Sequence, residues 1–289
     1  MRKDNKRTIA LYMFPAILMI VVLLYLPIFI NLYESFFSWG AMSSSHKFVG
    51  IGNYMKMFKD EVFYTALKNN MIFMIMSVIF QIGLSLIIAN TLESKFMRKT
   101  QNIFQSIYFI PSLLMVTVVG IAFKMICSPS IGIINPLLEL IGINTENIDL
   151  LGNAGSATFS IAAMSQWQYI GYTVVLFVVA IQNIPADLYE AADIDGATAW
   201  QKFKVVTYPA LKSTMVTVVS LRIIWVFYIY AEVYLLTKQV DVIGVYLYDM
   251  AFATHDFGKA AAISLLLFVL IFACVIMVRK VVLRSEKEE

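Results

Sequence analysis

The fold is decided around the segment IPADLYEAADIDGATAWQKFKVVTYP, residues 184–209, which lies between two apolar stretches at about 157–183 and 210–236. A helix needs roughly 20 residues to cross a hydrocarbon core of about 30 Å, since each residue advances it by about 1.5 Å. Both flanking stretches are that long. Residues 184–209 are therefore predicted to connect two membrane-spanning helices on one side of a bilayer.

The same length test predicts six spans in all. The other four cover about 9–37, 66–91, 103–127 and 259–279. Only 14% of the residues are charged and 60% are hydrophobic, whereas an average soluble domain has roughly 25% charged residues. We therefore expect an all-α membrane protein that forms a single transmembrane domain over residues 1–289.

The first stretch is predicted to be a retained helix. A cleavable signal peptide has a basic start, a short apolar core and a small-residue cleavage site. Here the start is basic, but the apolar run is long and no A-x-A site closes it. Pro15 and Pro27 lie inside the run and predict kinks, which spanning helices tolerate.

Lysine and arginine residues predict the orientation, because cytoplasmic loops carry an excess of both. With a cytoplasmic N-terminus, the inner connections hold Arg2, Lys3, Lys6, Arg7, Lys95, Arg98, Lys99, Lys202, Lys204, Lys212, Arg279, Lys280, Arg284 and Lys287. The outer connections then hold only Lys47, Lys56, Lys59, Lys68, Lys238 and Lys259. Both termini are therefore predicted to be cytoplasmic, and residues 184–209 with them.

Residues 184–209 have the pattern of two short helices rather than of a simple turn. Pro185 suits the first position of a helix, where its missing N–H is no loss. Gly196 suits the left-handed position after the end of that helix. Thr198 and Gln201 match a capping box that starts a second helix, which leads into the fifth span.

The apolar side chains of this segment allow two interpretations. Leu188 and Ile194 belong to the first predicted helix, and Trp200, Phe203 and Val206 to the second. Aromatic anchors on a protruding pair of helices are typical of a protein–protein contact. An amphipathic hairpin lying on the membrane surface has the same pattern, and the residues alone leave both open.

The order Glu190-Ala191-Ala192, then Gly196, then Pro209 resembles the "EAA" signature of permeases from binding-protein-dependent ABC importers. The surrounding pattern is similar to the carbohydrate branch of that family, which includes the maltose and glycerol-phosphate permeases. In the family this hairpin docks on a separate ATPase subunit. The resemblance implies ATPase-coupling roles for Glu190, Ala191, Ala192, Asp195, Gly196, Trp200 and Phe203.

Other stretches extend the resemblance over most of the chain. Tyr108-Phe109-Ile110-Pro111 is similar to the start of the family's third helix, and Asp256-Phe257-Gly258 to the start of its sixth. The chain departs from the family after Thr237, where a Gly-Gly-Pro stretch is usual, and at Ala231, where an acidic residue is common. Both departures fall at the outer end of the fifth span.

The resemblance implies a subunit of the bacterial cytoplasmic membrane that forms half of a translocation pathway for a sugar or oligosaccharide. Its expected partners are a second and different permease, two ATP-binding-cassette ATPase subunits and an extracytoplasmic solute-binding protein. Nucleic acid is not expected as a partner, because 22 Lys and Arg residues nearly balance 19 Asp and Glu residues.

The chain is not expected to be an enzyme or to hold a cofactor. A phosphate-binding loop needs the pattern G-x-x-x-x-G-K-[ST]. The only Gly-Lys pair, Gly258-Lys259, is followed by Ala260 and has no glycine five residues before Gly258. ATP and Mg²⁺ are thus expected on the partner ATPase, and two histidines and two distant cysteines predict no metal site.

The ligand pathway is predicted from polar and aromatic residues inside the spans, since such groups are costly in hydrocarbon. Positions carried over from the maltose branch, together with polar residues of the fourth span, give the candidates Ser165, Gln166, Tyr169, Tyr172, Arg222 and Tyr228. The alternative is that these polar groups only bond across helices while the aromatic rings fill space.

Arg222 is predicted near mid-depth of the fifth span. It is expected to bind an acidic ligand or to pair with a carboxylate of a second permease, with the pairing slightly favoured. Glu232 is ten residues further on, about 15 Å along a continuous helix, so the two should not touch.

Two rival functions stay open at this point. A secondary transporter or channel working alone would need an ion or proton site in the membrane, and the spans offer few interior carboxylates. A membrane-embedded enzyme would need a convergent cluster of histidines, carboxylates or metal ligands, which the sequence does not suggest.

Overall fold

The computed structural model of the protein describes residues 3–41, 46–94, 96–145 and 148–284, with the backbone alone at 3–6 and 283–284. Three residues of the charge balance, Arg2, Lys95 and Lys287, lie outside the described residues. The helices, in chain order, are α1 (Lys3–Ile20), α2 (Leu26–Glu34), α3 (Gly52–Phe58), α4 (Glu61–Met76), α5 (Leu84–Leu92), α6 (Gln101–Leu113), α7 (Val116–Ile126), α8 (Ile134–Leu140), α9 (Ala154–Gln182), α10 (Ala186–Ile194), α11 (Ala199–Lys202), α12 (Tyr208–Tyr228), α13 (Ala231–Leu236), α14 (Ile243–Tyr248) and α15 (Phe257–Arg284).

The long apolar helices lie where the sequence predicts spans. Within the described residues, five helical stretches are long and apolar enough to cross a membrane, namely Arg7–Glu34, Glu61–Leu92, Ala154–Gln182, Ala199–Tyr228 and Phe257–Val282. Several contain a π-helical segment, which keeps the helix continuous: Val21–Tyr25, Ser77–Gly83 and Phe203–Thr207. The expected all-helical membrane protein is confirmed at this level.

The chain divides into two compact units. The first comprises residues 1–63 and 246–270, and the second comprises 64–245 and 271–289. The single permease domain over residues 1–289 stays a prediction.

In the first unit, the first predicted span ends earlier than expected. The first span ends at Glu34 rather than near Phe37, and Phe37–Ser38 (β1) pairs antiparallel with Lys47–Phe48 (β2). The buried Asn53 side chain holds this turn by donating hydrogen bonds of 2.9 Å to the carbonyls of Ser35 and Phe37. The predicted end was wrong because the apolar run continues into the strand.

In the second unit, α9 is the central helix. It packs against α5, α6 and α12, and much of its length is buried. One apolar cluster includes Met164 and Val226, and another includes Phe177 and Leu211. A helix that is buried along most of its length presents its polar side chains to neighbouring helices rather than to lipid, and this places the functional residues of α9.

The third predicted span, 103–127, is not one straight helix. Helices α6 and α7 meet at an angle of 93°, because Leu114 and Met115 have extended backbone between them. Pro111 lies inside the last turn of α6, where it donates no hydrogen bond. The side-chain amide of Gln168 donates to the Leu114 carbonyl at 3.1 Å and so satisfies a backbone group freed by the bend.

The fifth predicted span, 210–236, also breaks. Helix α12 ends at Tyr228, Ile229 and Tyr230 leave helical geometry, and α13 begins at Ala231. The buried amide of Asn70 donates to the Val226 carbonyl at 2.7 Å and accepts from the Ile243 N–H at 2.9 Å. A side chain from a distant helix thus satisfies the Val226 carbonyl, which a continuous helix would have paired, and also the N–H at the start of α14. The apolar sequence of the span alone therefore gave no sign of the break.

Candidate ligand cavity and coupling segment

A cavity of about 350 Å³ lies between α6, α9 and α12 in the second unit. Its size falls within the range of small-molecule sites. Its aromatic lining consists of Phe109, Tyr169, Tyr172 and Trp225. Its polar lining consists of Ser112, Thr173 and Arg222. Aromatic walls with a few polar groups are typical of sites that bind a sugar-sized organic ligand.

Three of the six predicted pathway residues line this cavity, and three do not. Tyr169, Tyr172 and Arg222 contribute to its wall. Ser165 is fully buried one turn earlier on α9, and Tyr228 is 74% exposed at the last turn of α12. Gln166 is buried and turned toward the π-helical segment Ser77–Gly83.

Arg222 places a buried cation in the cavity wall, with 8% of its surface exposed. Its guanidinium carbon lies 4.3 Å from the centre of the Trp225 ring and 5.7 Å from that of Tyr169. Such cation–π contacts are strongest when the cation is desolvated. The two rings therefore hold the charge at the cavity edge.

Behind the cavity, polar side chains of neighbouring helices form a hydrogen-bond network. This agrees in part with the alternative interpretation that the polar residues of the spans only bond across helices. The Ser77 hydroxyl accepts from the Gln166 amide at 3.3 Å and from an Arg222 Nη at 3.4 Å. The Gln81 amide donates to the Thr173 hydroxyl at 2.8 Å. Yet in the described part of the chain the Ser165 hydroxyl, the Gln166 side-chain oxygen and Arg222 Nε are buried without a hydrogen-bond partner. Of these three residues only Arg222 lines the cavity, so the interpretation as bonds across helices accounts for part of the network and leaves some of its buried polar atoms unexplained.

The expected separation of Arg222 from Glu232 is wrong in its premise. It assumed one continuous helix, and the break after Tyr228 removes that premise. Glu232 lies in the first turn of α13 and is 5% exposed. That the two side chains do not touch stays a prediction, although a continuous helix no longer supports it.

Sequence reasoning missed several cavity residues that helical spacing points to. Trp225 is three residues after Arg222, and Thr173 is four residues after Tyr169. Residues three and four apart share a helix face. Ser77 and Gln81 carried no such signal, because their approach depends on the packing of a different helix.

The segment 184–209 has the predicted local structure, with one shift. Gly196 follows α10 with φ +71°, and the Ala197 N–H reaches back to the Ala192 carbonyl at 2.9 Å. The capping box is present: the Thr198 N–H donates to the Gln201 side chain at 2.7 Å, and the Gln201 N–H to the Thr198 hydroxyl at 3.4 Å. Pro185 is the N-cap of α10, one residue before the predicted helical position.

Beyond the capping box, the second helix is continuous with the fifth span. Helix α11, the π-helical segment Phe203–Thr207 and α12 form one stretch, Ala199–Tyr228. The Tyr189 and Thr207 hydroxyls lie 2.9 Å apart and join α10 to this stretch. An ion pair of 2.6 Å between Lys202 and Asp193 adds a second link. Helix α10 is thus tied to the base of a spanning helix.

The segment exposes apolar and acidic side chains together. Ile194 is 87% exposed and Trp200 is 71% exposed, with the Trp200 ring stacked on Phe203 at 5.4 Å. Glu190 and Asp195 are exposed. Val206, assigned to the apolar face in the sequence, is buried, because it points toward the protein at the start of α12. A rigid, aromatic and acidic surface of this kind suits a protein partner.

The described part of the chain contains no group of three or more His, Cys, Asp or Glu side chains that could hold a metal ion. Cys127 is buried and Cys274 partly buried, and both are free thiols.

Comparison with known proteins decides between the classes of function. Residues 81–287 match the family described as "Binding-protein-dependent transport system inner membrane component". The matched range contains the whole cavity wall and the segment 184–209. The chain belongs to this family. It is therefore a multi-pass component of the inner membrane in a transport system, and this favours transport over the membrane-embedded enzyme.

Relatives agree over nearly the full length. The chain is 35% identical over 294 residues to the "Probable ABC transporter permease protein YurN" of Bacillus subtilis (strain 168), covering 100% of both chains. It is 33% identical over 266 residues to the "Arabinooligosaccharides transport system permease protein AraP" of Halalkalibacterium halodurans, covering 89% of this chain and 82% of the relative.

A solved structure shares the fold. A chain of a bacterial ABC transporter involved in the import of the acidic polysaccharide alginate superposes with a TM-score of 0.83 at 24% identity, covering 98% of both chains.

Proposed function

We propose that the chain is the permease subunit that forms half of the translocation pathway of an ATP-binding-cassette importer for a sugar or oligosaccharide. An extracytoplasmic solute-binding protein delivers the ligand, and a separate ATPase subunit supplies the energy. Membership of the binding-protein-dependent family supports the transport role. The relative named for arabinooligosaccharides supports a carbohydrate ligand.

We further propose six spans, with the bent pair α6–α7 counted as one, and both termini in the cytoplasm. This arrangement puts the segment 184–209 on the cytoplasmic side of the bilayer. The loop charges support it, since the excess of lysine and arginine falls on that side. A second and different permease then completes the pathway, and two ATPase subunits bind ATP and Mg²⁺.

The observation that carries the proposal is the exposed surface of the segment 184–209. Its acidic residue Glu190 lies on α10, which is fastened to the base of the fifth span by the Tyr189–Thr207 contact and the Asp193–Lys202 ion pair. Its aromatic residue Trp200 lies on α11, which is continuous with that span. Closure of the ATPase subunits would move this surface and, with it, helix α12. Because α12 also lines the cavity, ligand access would change with the state of the ATPase, as a population shift between two conformations.

The test is a pair of substitutions in the assembled complex, reconstituted with its binding protein. Glu190→Lys reverses an exposed charge, and Gly196→Arg adds bulk where nothing lies within 4 Å of a built Cβ. Each is expected to lower ligand-stimulated ATPase activity at least ten-fold and to weaken co-purification of the ATPase. The physical reason is that each substitution removes part of the contact with the ATPase, so the ATPase dissociates faster and is no longer coupled to the permease.

Gly142→Arg is the matched control. Gly142 also has a left-handed φ, +84° against +71° at Gly196, and it too has open space around it. The control therefore carries the same backbone strain at a site outside the segment, and it should stay within two-fold of the parent. If Gly196→Arg behaves like Gly142→Arg and Glu190→Lys like the parent, coupling through this segment is wrong and a stand-alone transporter becomes the leading function.

A further inference from the structure

The wall of the ligand cavity offers hydrogen-bond donors and a positive charge. Among the described residues that line it, Arg222 is the only charged one. The hydroxyls of Tyr169 and Tyr172 form no hydrogen bond within the described part of the chain, so both can donate to a ligand. The Ser112 hydroxyl already donates to the Phe109 carbonyl at 2.7 Å, which leaves only its lone pairs. Such a wall is complementary to a ligand that is negatively charged and rich in acceptors.

Arg222 itself is held in place without an anionic partner in the wall. The rings of Trp225 and Tyr169 face its guanidinium, and a ring face offers no oxygen acceptor to the N–H groups. The one hydrogen bond of the guanidinium within the described residues goes to the Ser77 hydroxyl at 3.4 Å, and the other N–H donors form none. Glu232, buried on α13, does not belong to the wall. A buried cation of this kind is costly inside a span, so an anionic group in the cavity would supply the acceptors it lacks.

We propose that the cavity binds a sugar that carries a carboxylate or a phosphate group, and that Arg222 recognises this anionic group. The inference rests on the proposed carbohydrate import and names its substrate class. A guanidinium can form two parallel hydrogen bonds with either anion, and these are stronger than hydrogen bonds to neutral hydroxyls. The Tyr172 ring provides apolar surface for a sugar face. The volume of about 350 Å³ is near the lower end of the range for small-molecule sites, so a mono- or disaccharide has a suitable size.

The test is direct binding to the purified importer complex, without its binding protein and without nucleotide, measured by saturation-transfer NMR titration. The probes are glucose, galactose and mannose, each with its uronate, its uronamide and its 6-phosphate. The uronamide keeps the shape of the uronate and lacks its charge. In at least one series we expect the uronate or the 6-phosphate to bind about ten-fold or more tightly than both neutral sugars, which is the effect of a charge-assisted hydrogen bond. The tighter of the two acids then tells a carboxylate from a phosphate ligand.

Substitutions at Arg222 assign this preference to the cavity. Arg222→Gln removes the charge and should bring the acidic and neutral sugars of that series to within about two-fold of each other, because only neutral hydrogen bonds remain. Arg222→Lys keeps the charge but loses the planar fork, so it should retain part of the preference. Arg98→Gln is the matched control, since Arg98 is exposed in the connection after α5 and its loss should leave the preference of the parent intact.

The outcomes separate this inference from the proposed function. If the parent binds neutral and acidic sugars equally, or if Arg222→Gln keeps the preference, the acidic-ligand inference is wrong while carbohydrate binding stands. Pairing of Arg222 with a carboxylate of the second permease then takes its place. If the parent binds none of the probes, the proposed carbohydrate cavity itself is wrong. The comparison of uronate with uronamide uses the parent alone, so equal binding of the two and of the 6-phosphate overturns the inference even where Arg222→Gln fails to assemble.

Discussion

At the scale of single residues, Asp60 joins three segments of the first unit. Its Oδ2 accepts hydrogen bonds from Lys259 Nζ and from the Tyr246 hydroxyl, each at 2.7 Å, and its Oδ1 accepts from the Val62 N–H at 3.1 Å. Burial, and then the bond to Asp60, raise the pKa of Tyr246 far above its ordinary value, so the phenol stays a donor. The cluster thereby fixes the start of α15 against the start of α4.

This cluster predicts a specific pH dependence. The hydrogen bond from Lys259 is the main cause that holds the pKa of Asp60 below its ordinary value. A carboxylate with a lowered native pKa contributes stability above its unfolded pKa of about 3.9, and this contribution is lost as the pH falls through the native value. Asp60→Asn should therefore lower Tm at pH 7, by the equivalent of about 1–3 kcal/mol, and approach the parent below about pH 4.

Thermal unfolding of the purified protein between pH 7 and pH 3 measures this difference. Asp187→Asn is the control, since Asp187 is an exposed acid on α10, and it should track the parent throughout. A constant gap between Asp60→Asn and the parent at every pH would mean that the loss comes from packing and not from the ionised carboxylate.

At the same scale, three residues that the sequence singled out come together, and their part in the ligand pathway stays a prediction. Tyr169, Tyr172 and Arg222 were predicted for the pathway and line one cavity. Intramembrane polar and aromatic residues are informative because their burial is costly without a task. The burial of Glu232 was not predicted, because it depends on a helix break, which Asn70 supports from another helix.

At the scale of secondary-structure elements, the contact of α9 with α6 depends on Gly171. A Cβ built on Gly171 would overlap the carbonyl oxygen of Tyr108. The missing side chain thus lets the two helix backbones approach, as small residues do at helix interfaces in membranes. The same contact sets the width of the cavity, because Phe109 and Tyr172 lie beside it.

Gly171→Ala is expected to push α6 away from α9. Overpacking of this kind costs about 1–3 kcal/mol, which corresponds to several degrees in Tm. Gly83→Ala is the control, because Gly83 is also helical but has nothing within 4 Å of a built Cβ. Thermal unfolding of the parent and both variants measures this effect: Gly171→Ala should have a lower Tm than Gly83→Ala. Equal Tm values for the two variants would show that the close approach at Gly171 is not required for stability.

Elements differ in how far the sequence predicts them. The capping box at Thr198 and the left-handed Gly196 follow from residues within four positions of each other, and both are present. The 93° bend between α6 and α7 and the break after Tyr228 were not predicted. Each is supported by a side chain from elsewhere, Gln168 for the bend and Asn70 for the break. Local signals thus predict helix ends, whereas long-range hydrogen bonds decide where a span is interrupted.

At the scale of the whole molecule, hydrophobicity predicts the number of long helices but not which side each end faces. The helices Arg7–Glu34 and Phe257–Val282 are the most apolar of the five long helical stretches, and little or none of their most apolar part is buried by protein. Such surfaces require lipid or a partner subunit. The orientation rests on the lysine and arginine balance alone, so it calls for a direct measurement.

Single cysteines at exposed sites test the proposed orientation in a chain whose own Cys127 and Cys274 have been replaced by alanine. Phe96→Cys, at a residue 89% exposed in the connection after α5, should react with a membrane-impermeant maleimide only after the cells are permeabilised. Gln239→Cys, at an exposed residue after α13, should react in intact cells. The two sites are separated by the bent pair α6–α7, α9 and the stretch Ala199–Tyr228. If the bent pair crosses the bilayer once, three crossings separate them and the two labels must fall on opposite sides.

If the bent pair instead returns to its starting side, two crossings remain and both cysteines must label alike, which would contradict the six-span arrangement. Labelling of Phe96→Cys alone in intact cells would keep six spans but reverse the orientation, and the segment 184–209 would then lie outside, where no ATPase could reach it.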